Sequence, residues 1–290
     1  MQWLGRKESD NVEDRRGMSG GGKLVAGGGI IGVIVLVVNL LLGGNGDQGL
    51  QLPSPQQQAQ QSELSPQEQA ADDERASFVK VVLADTEGVW DKIFSQNASH
   101  YTKPVLVLFR DQVESACGNA SAASGPFYCP GDQKLYIDLS FYQDLQKNLN
   151  APGDFAMAYV VAHEVGHHIQ KLMGTSEKMQ RLRGQLSEED YNKYSVKLEL
   201  QADFYAGVWA NHAQEIKTAE GKSIIDPGDI EEALTAANAI GDDRLQKQAQ
   251  GYIVPESFTH GTSAQRVYWF KKGFKTGDLN QGDTFNAPDL

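Results

Sequence analysis

Cysteine is nearly absent from this sequence, with two in 290 residues. That is too few for a disulfide scaffold or for a zinc cluster built on thiolates. Basic charge is also short. Lys and Arg number 26 against 38 Asp and Glu, a net charge of −12, which argues against nucleic acid, whose phosphates call for a basic face. No glycine-rich phosphate loop stands between a strand pattern and a helix pattern, so neither a Walker nor a Rossmann site is indicated. No internal repeat is visible. What remains has 40% hydrophobic and 22% charged residues, an ordinary globular composition with length for one or two domains.

One long uncharged run stands out, LVAGGGIIGVIVLVVNLLL at residues 24–42. Its 19 residues suffice for one membrane-spanning helix. A cleaved signal peptide would have a shorter apolar core and a small-x-small site after it, which NLLLGGNGDQG does not offer. Twin-arginine export would need an apolar stretch directly after Arg15 and Arg16, and DRRGMSGG has none. Arg6, Lys7, Arg15, Arg16 and Lys23 precede the run, and the next basic residue is Arg75. The positive-inside rule then predicts a single-pass inner (cytoplasmic) membrane protein. Residues 1–23 would be a cytoplasmic tail, 24–42 the transmembrane helix, and 43–67 a flexible Gly/Gln/Pro-rich linker. Residues 68–290 would be the folded body, in the periplasm or outside the cell.

Within the body, apolar residues from Phe78 to Phe94 recur at helical spacing over 68–95. KPVLVLFR (103–110) reads as a buried strand. QKLYIDLS (133–140) alternates and reads as a half-exposed strand. Helical patterns follow at 154–173, with Asp154 as cap and Gly174 as stop, then at 188–216, 226–241 and 263–272. Strands first and helices after predict an α+β fold, a small sheet with a mainly helical half. Cys117 and Cys129 lie in a Gly/Ser-rich loop between the strands. In an oxidising compartment they close a disulfide; the alternative is two buried thiols.

AYVVAHEVGHHIQKLMG (158–174) holds three of the six histidines inside an apolar helix. His163 and His167 are four residues apart and share one helix face, where both imidazoles can bind one Zn2+. Glu164 is set to hold a zinc-activated water and take its proton. His168 points away and reads as non-ligating, with a backbone or solvent partner. A catalytic zinc needs a third protein ligand and an open position. The longer H-E-x-x-H-x-x-G-x-x-H form is absent, since Gln170 and Met173 occupy its last two places. SVKLELQADFYAGVWA (195–210) offers Glu199 and Asp203, again four apart on an apolar helix. We expect Glu199 as ligand and Asp203 as the acceptor that orients a ligating histidine, with exchanged roles as the alternative. SFTHGTSAQRVYWF (257–270) places His260 and Arg266 as candidates to hold the oxyanion or a substrate carboxylate. A capping or packing role for that loop is the competing reading. His100 and His212 lie in polar surroundings and read as solvated. The edge strand that pairs with substrate is expected at 134–139.

At these residues the chain resembles the bacterial neutral zinc metallopeptidase family. AHEVGHHIQ, LELQADFYAGVWA, AIGDDRLQ and SFTHGTSAQR occur in that order, with WLGRKESDNVEDRR at the N-terminus and GPFYCP before YIDLSFY. More distantly, H-E-x-x-H followed by E-x-x-x-D is similar to the gluzincin clan. The resemblance implies a zincin-like metallopeptidase domain with His163, His167 and Glu199 on zinc and Glu164 as base. The expected substrate is a polypeptide. The competing function is a non-catalytic metal-bearing scaffold that binds a partner in the envelope; an intact Glu164 speaks against it, because a structural site has no use for that residue.

Overall fold

A Ser-x-x-Glu motif begins the first long helix, in the computed structural model that describes residues 1–17, 64–288 and 290. Ser65 and Glu68 cap each other's backbone N–H groups, and Pro66 opens helix α1 (Pro66–Gln96). Its apolar side, including Phe78, Val82, Trp90 and Ile93, is buried. Four strands form one sheet in the order β1 (Val12–Asp14), β2 (Val105–Phe109), β6 (Lys134–Asp138), β5 (Phe127–Cys129). β1, β2 and β6 run parallel, and β5 is antiparallel to β6. β3 (Gln112–Ser115) and β4 (Gly118–Ser121) make a separate hairpin.

The two-residue period of strands explains both faces of the sheet. Leu106, Leu108, Leu135 and Ile137 join the helical core. Val107, Phe109 and Tyr136 point the other way, under Val113, Ala120 and Cys129. This corrects the strand expected at the edge. β6 is central and buried, because the hairpin covers the face that carries Tyr136; the edge strand beside it is β5. A disulfide between Cys117 and Cys129 ties the hairpin turn to the end of β5.

The helical half consists of α2 (Asp154–Leu172), α3 (Thr175–Arg183), α4 (Glu188–Ala213), α5 (Asp229–Ala239), α6 (Asp242–Gln250) and α7 (Ser263–Thr276). Sequence periodicity does not mark α3 or α6, which are short and polar. α2 and α4 meet closely at Gly166, where a Cβ would stand 2.9 Å from the Ala202 carbonyl oxygen. The whole is a mixed α and β fold with small sheets.

The single-pass inner-membrane localisation is overturned. Among the described residues, no helix is long and apolar enough to cross a membrane. Residues 24–42, read as the span, lie outside the described residues, as does most of the expected linker. Residues 1–17 supply an independent ground. They are not a tail held away from the body: Val12 to Asp14 pair with Leu106 to Leu108. Arg6 forms an ion pair with buried Asp85, Arg16 with Asp72, and the Trp3 ring packs edge-on against Phe78. A hydrogen-bonded strand ladder cannot form across a bilayer, so these residues and the body lie on one side.

Candidate metal centre

Helix α2 is buried along most of its length, and its mid-section carries His163, Glu164 and His167. One turn apart, the two imidazoles stand with ring centroids 4.8 Å from each other and planes nearly perpendicular. Helix α4 crosses α2 at the Gly166–Ala202 contact, which sets Glu199 opposite both rings. Glu199 Oε2 is 3.1 Å from His163 Nε2, and Oε1 is 3.5 Å from His167 Nε2. One ligand atom from each of the three residues lies within 4.8 Å of the other two. Two imidazole nitrogens and one carboxylate oxygen suit zinc, and three protein donors leave a position open. The residues therefore fit the metal.

Behind His163 is a buried ionic network. Its Nδ1 donates to Asp203 Oδ1 at 2.9 Å. Asp203, wholly buried, also accepts from the Tyr159 hydroxyl and, in a two-point contact at 2.9 and 3.0 Å, from Arg266. Burial alone would raise the Asp203 pKa, but Arg266 and His163 outweigh it and hold the carboxyl below its ordinary value. Burial likewise opposes a charge on His163, yet Asp203 and Glu199 push its pKa up to about 10 in the metal-free protein. Arg266 is thereby corrected. Its donors go to Asp203, Tyr159 and the Ile240 carbonyl, and it is 2% exposed, so it does not face an oxyanion or a substrate carboxylate.

His167 is held by a neutral group. Its Nδ1 lies 2.8 Å from Gln170 Oε1. His168 turns aside, as its angular offset requires, and bonds the Thr102 carbonyl and the Tyr128 hydroxyl. Burial lowers its pKa, consistent with a neutral ring. Tyr128 lies on β5, so His168 ties the edge strand to the metal helix. Glu164 is buried too. Burial raises its pKa, partly countered by His167 and His163.

His260 reaches the site from the loop before α7. Asp242 organises that loop: one carboxylate oxygen accepts from the backbone N–H groups of Thr259, His260 and Gly261. The other oxygen lies 3.3 Å from His260 Nδ1, with Thr259 Oγ1 at 3.0 Å from the same atom. Burial opposes a charge on His260, but Glu199 and Asp242 prevail and raise its pKa. The loop caps as well, through a reciprocal Thr262 and Gln265 box at the start of α7. His100 is exposed, whereas His212 is partly buried and bonds the Gly277 carbonyl, so only the first is solvated as expected.

Sequence reasoning missed Tyr159, Gln170 and Asp242. The first two were within reach, since Tyr159 precedes His163 by four residues and Gln170 follows His167 by three, spacings that share a helix face. Asp242 had no local signal, being brought to His260 by the fold. A second acidic group, Asp154, Asp229 and Glu232, also has ligand atoms within 4.8 Å of one another. It is already matched by a cation, the Met1 amino group, at 2.8 Å from Asp154 and 3.3 Å from Asp229.

A mixed α and β fold with two histidines and a glutamate converging from two crossed helices defines a candidate mononuclear metal protein. The chain belongs to the family described as "Putative neutral zinc metallopeptidase", whose sequence model matches residues 1–285. It is 48% identical over 294 residues to a protein of Escherichia coli strain K12 described as "Uncharacterized protein YpfJ", covering 98% of this chain and 99% of that one. It is 44% identical over 218 residues to "Uncharacterized protein Rv2575" of Mycobacterium tuberculosis strain H37Rv, covering 73% of each. No solved structure matches.

Proposed function

We propose that the protein is a zinc-dependent metallopeptidase that hydrolyses peptide bonds in a polypeptide substrate. One observation carries this reading: a buried carboxylate, Glu164, follows His163 on the helix that supplies two members of a three-donor metal set, a set that leaves a position open. A structural zinc site has four protein ligands and no adjoining base.

His163, His167 and Glu199 would hold the zinc, which supplies Lewis-acid activation of a water and of the scissile carbonyl. Glu164 takes the proton of the attacking water and passes it to the departing amine. Its raised pKa suits a group that must both accept and release a proton. Asp203 keeps the proton on His163 Nδ1, so that Nε2 presents its lone pair to the metal. His260, whose pKa Glu199 and Asp242 raise, is oriented at Nδ1 by Asp242 and Thr259 and, as the imidazolium, can donate from Nε2 to the oxyanion as charge develops. Family membership supports the class of reaction.

Glu164→Gln tests the reading. We expect zinc to be retained and cleavage of an unfolded casein substrate to fall by about 10²–10⁴-fold. Cleavage at the wild-type rate would overturn the mechanism. Zinc retention with no cleavage by the wild-type protein would favour the non-catalytic scaffold. Comparing Glu199→Gln with Asp203→Asn by zinc titration decides the third ligand, and an unchanged affinity in Glu199→Gln would exclude it.

A further inference from the structure

The two metal-facing histidines are held by opposite chemistries. His163 backs onto a charged network, whereas His167 backs onto a chain of neutral amides. Gln170, wholly buried, places Oε1 2.8 Å from His167 Nδ1. Its nitrogen donates to the Leu198 carbonyl at 2.6 Å and to Gln201 Oε1 at 3.2 Å. Both partners are oxygens without hydrogen, so the amide has only one workable orientation: nitrogen toward them, oxygen toward His167. An amide oxygen only accepts. His167 Nδ1 must therefore carry the proton, which leaves the Nε2 lone pair facing Glu199.

The orientation of Gln201 is set in the same way. Its nitrogen donates to the Gly282 carbonyl at 2.9 Å, which turns its oxygen to Gln170. Gly282 is itself wedged in place, since a Cβ there would lie 2.5 Å from the Phe204 ring. Two residues on, the Thr284 hydroxyl donates to the Lys197 carbonyl at 2.6 Å, and Lys197 Nζ donates to the Phe285 carbonyl at 3.1 Å. The segment 282–285 is thus clamped to the turn of α4 that carries Glu199 and Gln201.

We infer that Gln170 and Gln201 are positioning residues, forming a directed amide relay from Gly282 to His167 that fixes the tautomer able to bind metal. This rests on the reading of His163, His167 and Glu199 as a metal set. The relay depends on neutrality. A carboxylate at 170 would turn one of its oxygens against the Leu198 and Gln201 oxygens, and the chain would break at its first link.

The test uses the full chain and two readouts. Long-range 1H–15N spectra of the histidine rings are recorded on metal-free protein, at a pH high enough for a neutral ring, with the His167 signal assigned from His167→Asn. The wild type should show the Nδ1–H tautomer at His167, and Gln170→Leu should lose it. Zinc competition against a chelator should show affinity reduced by about 10–100-fold in Gln170→Leu. Gln201→Leu, which cuts the chain one link further out, should lose less in the same direction. If Gln170→Leu does not fold by circular dichroism, Gln201→Leu decides by the same measurements. An unchanged His167 tautomer with zinc affinity within about twofold of wild type would overturn the relay. Failure of the wild type to bind zinc would overturn the metal reading, and the metal-free tautomer spectrum would still decide the relay.

Discussion

Asp203 accepts from three side chains at once, His163, Tyr159 and Arg266. Asp203→Asn keeps the shape but leaves the Arg266 guanidinium buried without a counter-charge, which costs about 3–5 kcal/mol. We expect that loss in the urea midpoint, with the unfolding slope unchanged, and zinc affinity lower by about 10–100-fold. The pH dependence follows from His163, whose pKa in the metal-free protein rises from its ordinary 6.5 to about 10. A raised folded-state pKa stabilises fully below the unfolded value, and that contribution is lost as pH rises from 6.5 through about 10. Metal-free protein should therefore lose stability over that window by thermal melting. Zinc displaces the same proton, so its affinity should climb by about tenfold per pH unit per proton released, levelling off above about pH 10. Calorimetry in two buffers of different ionisation enthalpy would count the protons, and a count of zero would contradict the shift. At this scale the four-residue spacings made His163, His167, Glu199 and Asp203 legible. Arg266 was placed in the right neighbourhood with the wrong task, because sequence does not show which side of a histidine a guanidinium will occupy.

Helix α4 is gripped between α2 and α7, and glycines mark both contacts. A Cβ on Gly207 would stand 2.1 Å from the Phe270 carbonyl oxygen, and one on Gly273 2.0 Å from the Phe204 carbonyl oxygen. The helices touch backbone to backbone there, so no side chain can yield. Gly207→Ala should destabilise by about 3 kcal/mol, the upper end for overpacking, as read from the urea midpoint. Because α4 carries Glu199, zinc affinity should fall with it; a stable variant with wild-type affinity would contradict this account of the contact. The long apolar helices were legible from periodicity, whereas the rank of β6 within the sheet was not. Tyr136 and Asp138 look like solvent-facing positions, and only the disulfide-tied hairpin over that face makes them interior.

For the molecule as a whole, residues 1–17 are part of the fold. Arg6 answers the carboxylate of Asp85, which is 5% exposed and whose pKa burial raises despite that partner. Arg6→Ala should strand that carboxylate and cost about 3 kcal/mol, and removing residues 1–17 should cost more, since β1 is lost with it. A deletion that melts at the wild-type temperature would show that the segment is not integral. The acidity of the chain, a net charge of −12, bears on how its surface meets other charged molecules and says nothing about the fold.

By itself the sequence determined the helix faces, the pairing of donors four residues apart and the family, because each depends on local spacing or on the order of motifs along the chain. Tertiary structure alone decided that Glu199 faces Nε2 of both imidazoles while Asp203 lies at Nδ1 of His163, that Asp242 serves His260, that Arg266 lies behind His163, and that residues 1–17 join the body. Those depend on contacts between segments separated by tens to hundreds of residues. Hydropathy at 24–42 is local evidence, whereas membrane topology is a relation between both flanks. A shared strand ladder set those flanks on one side.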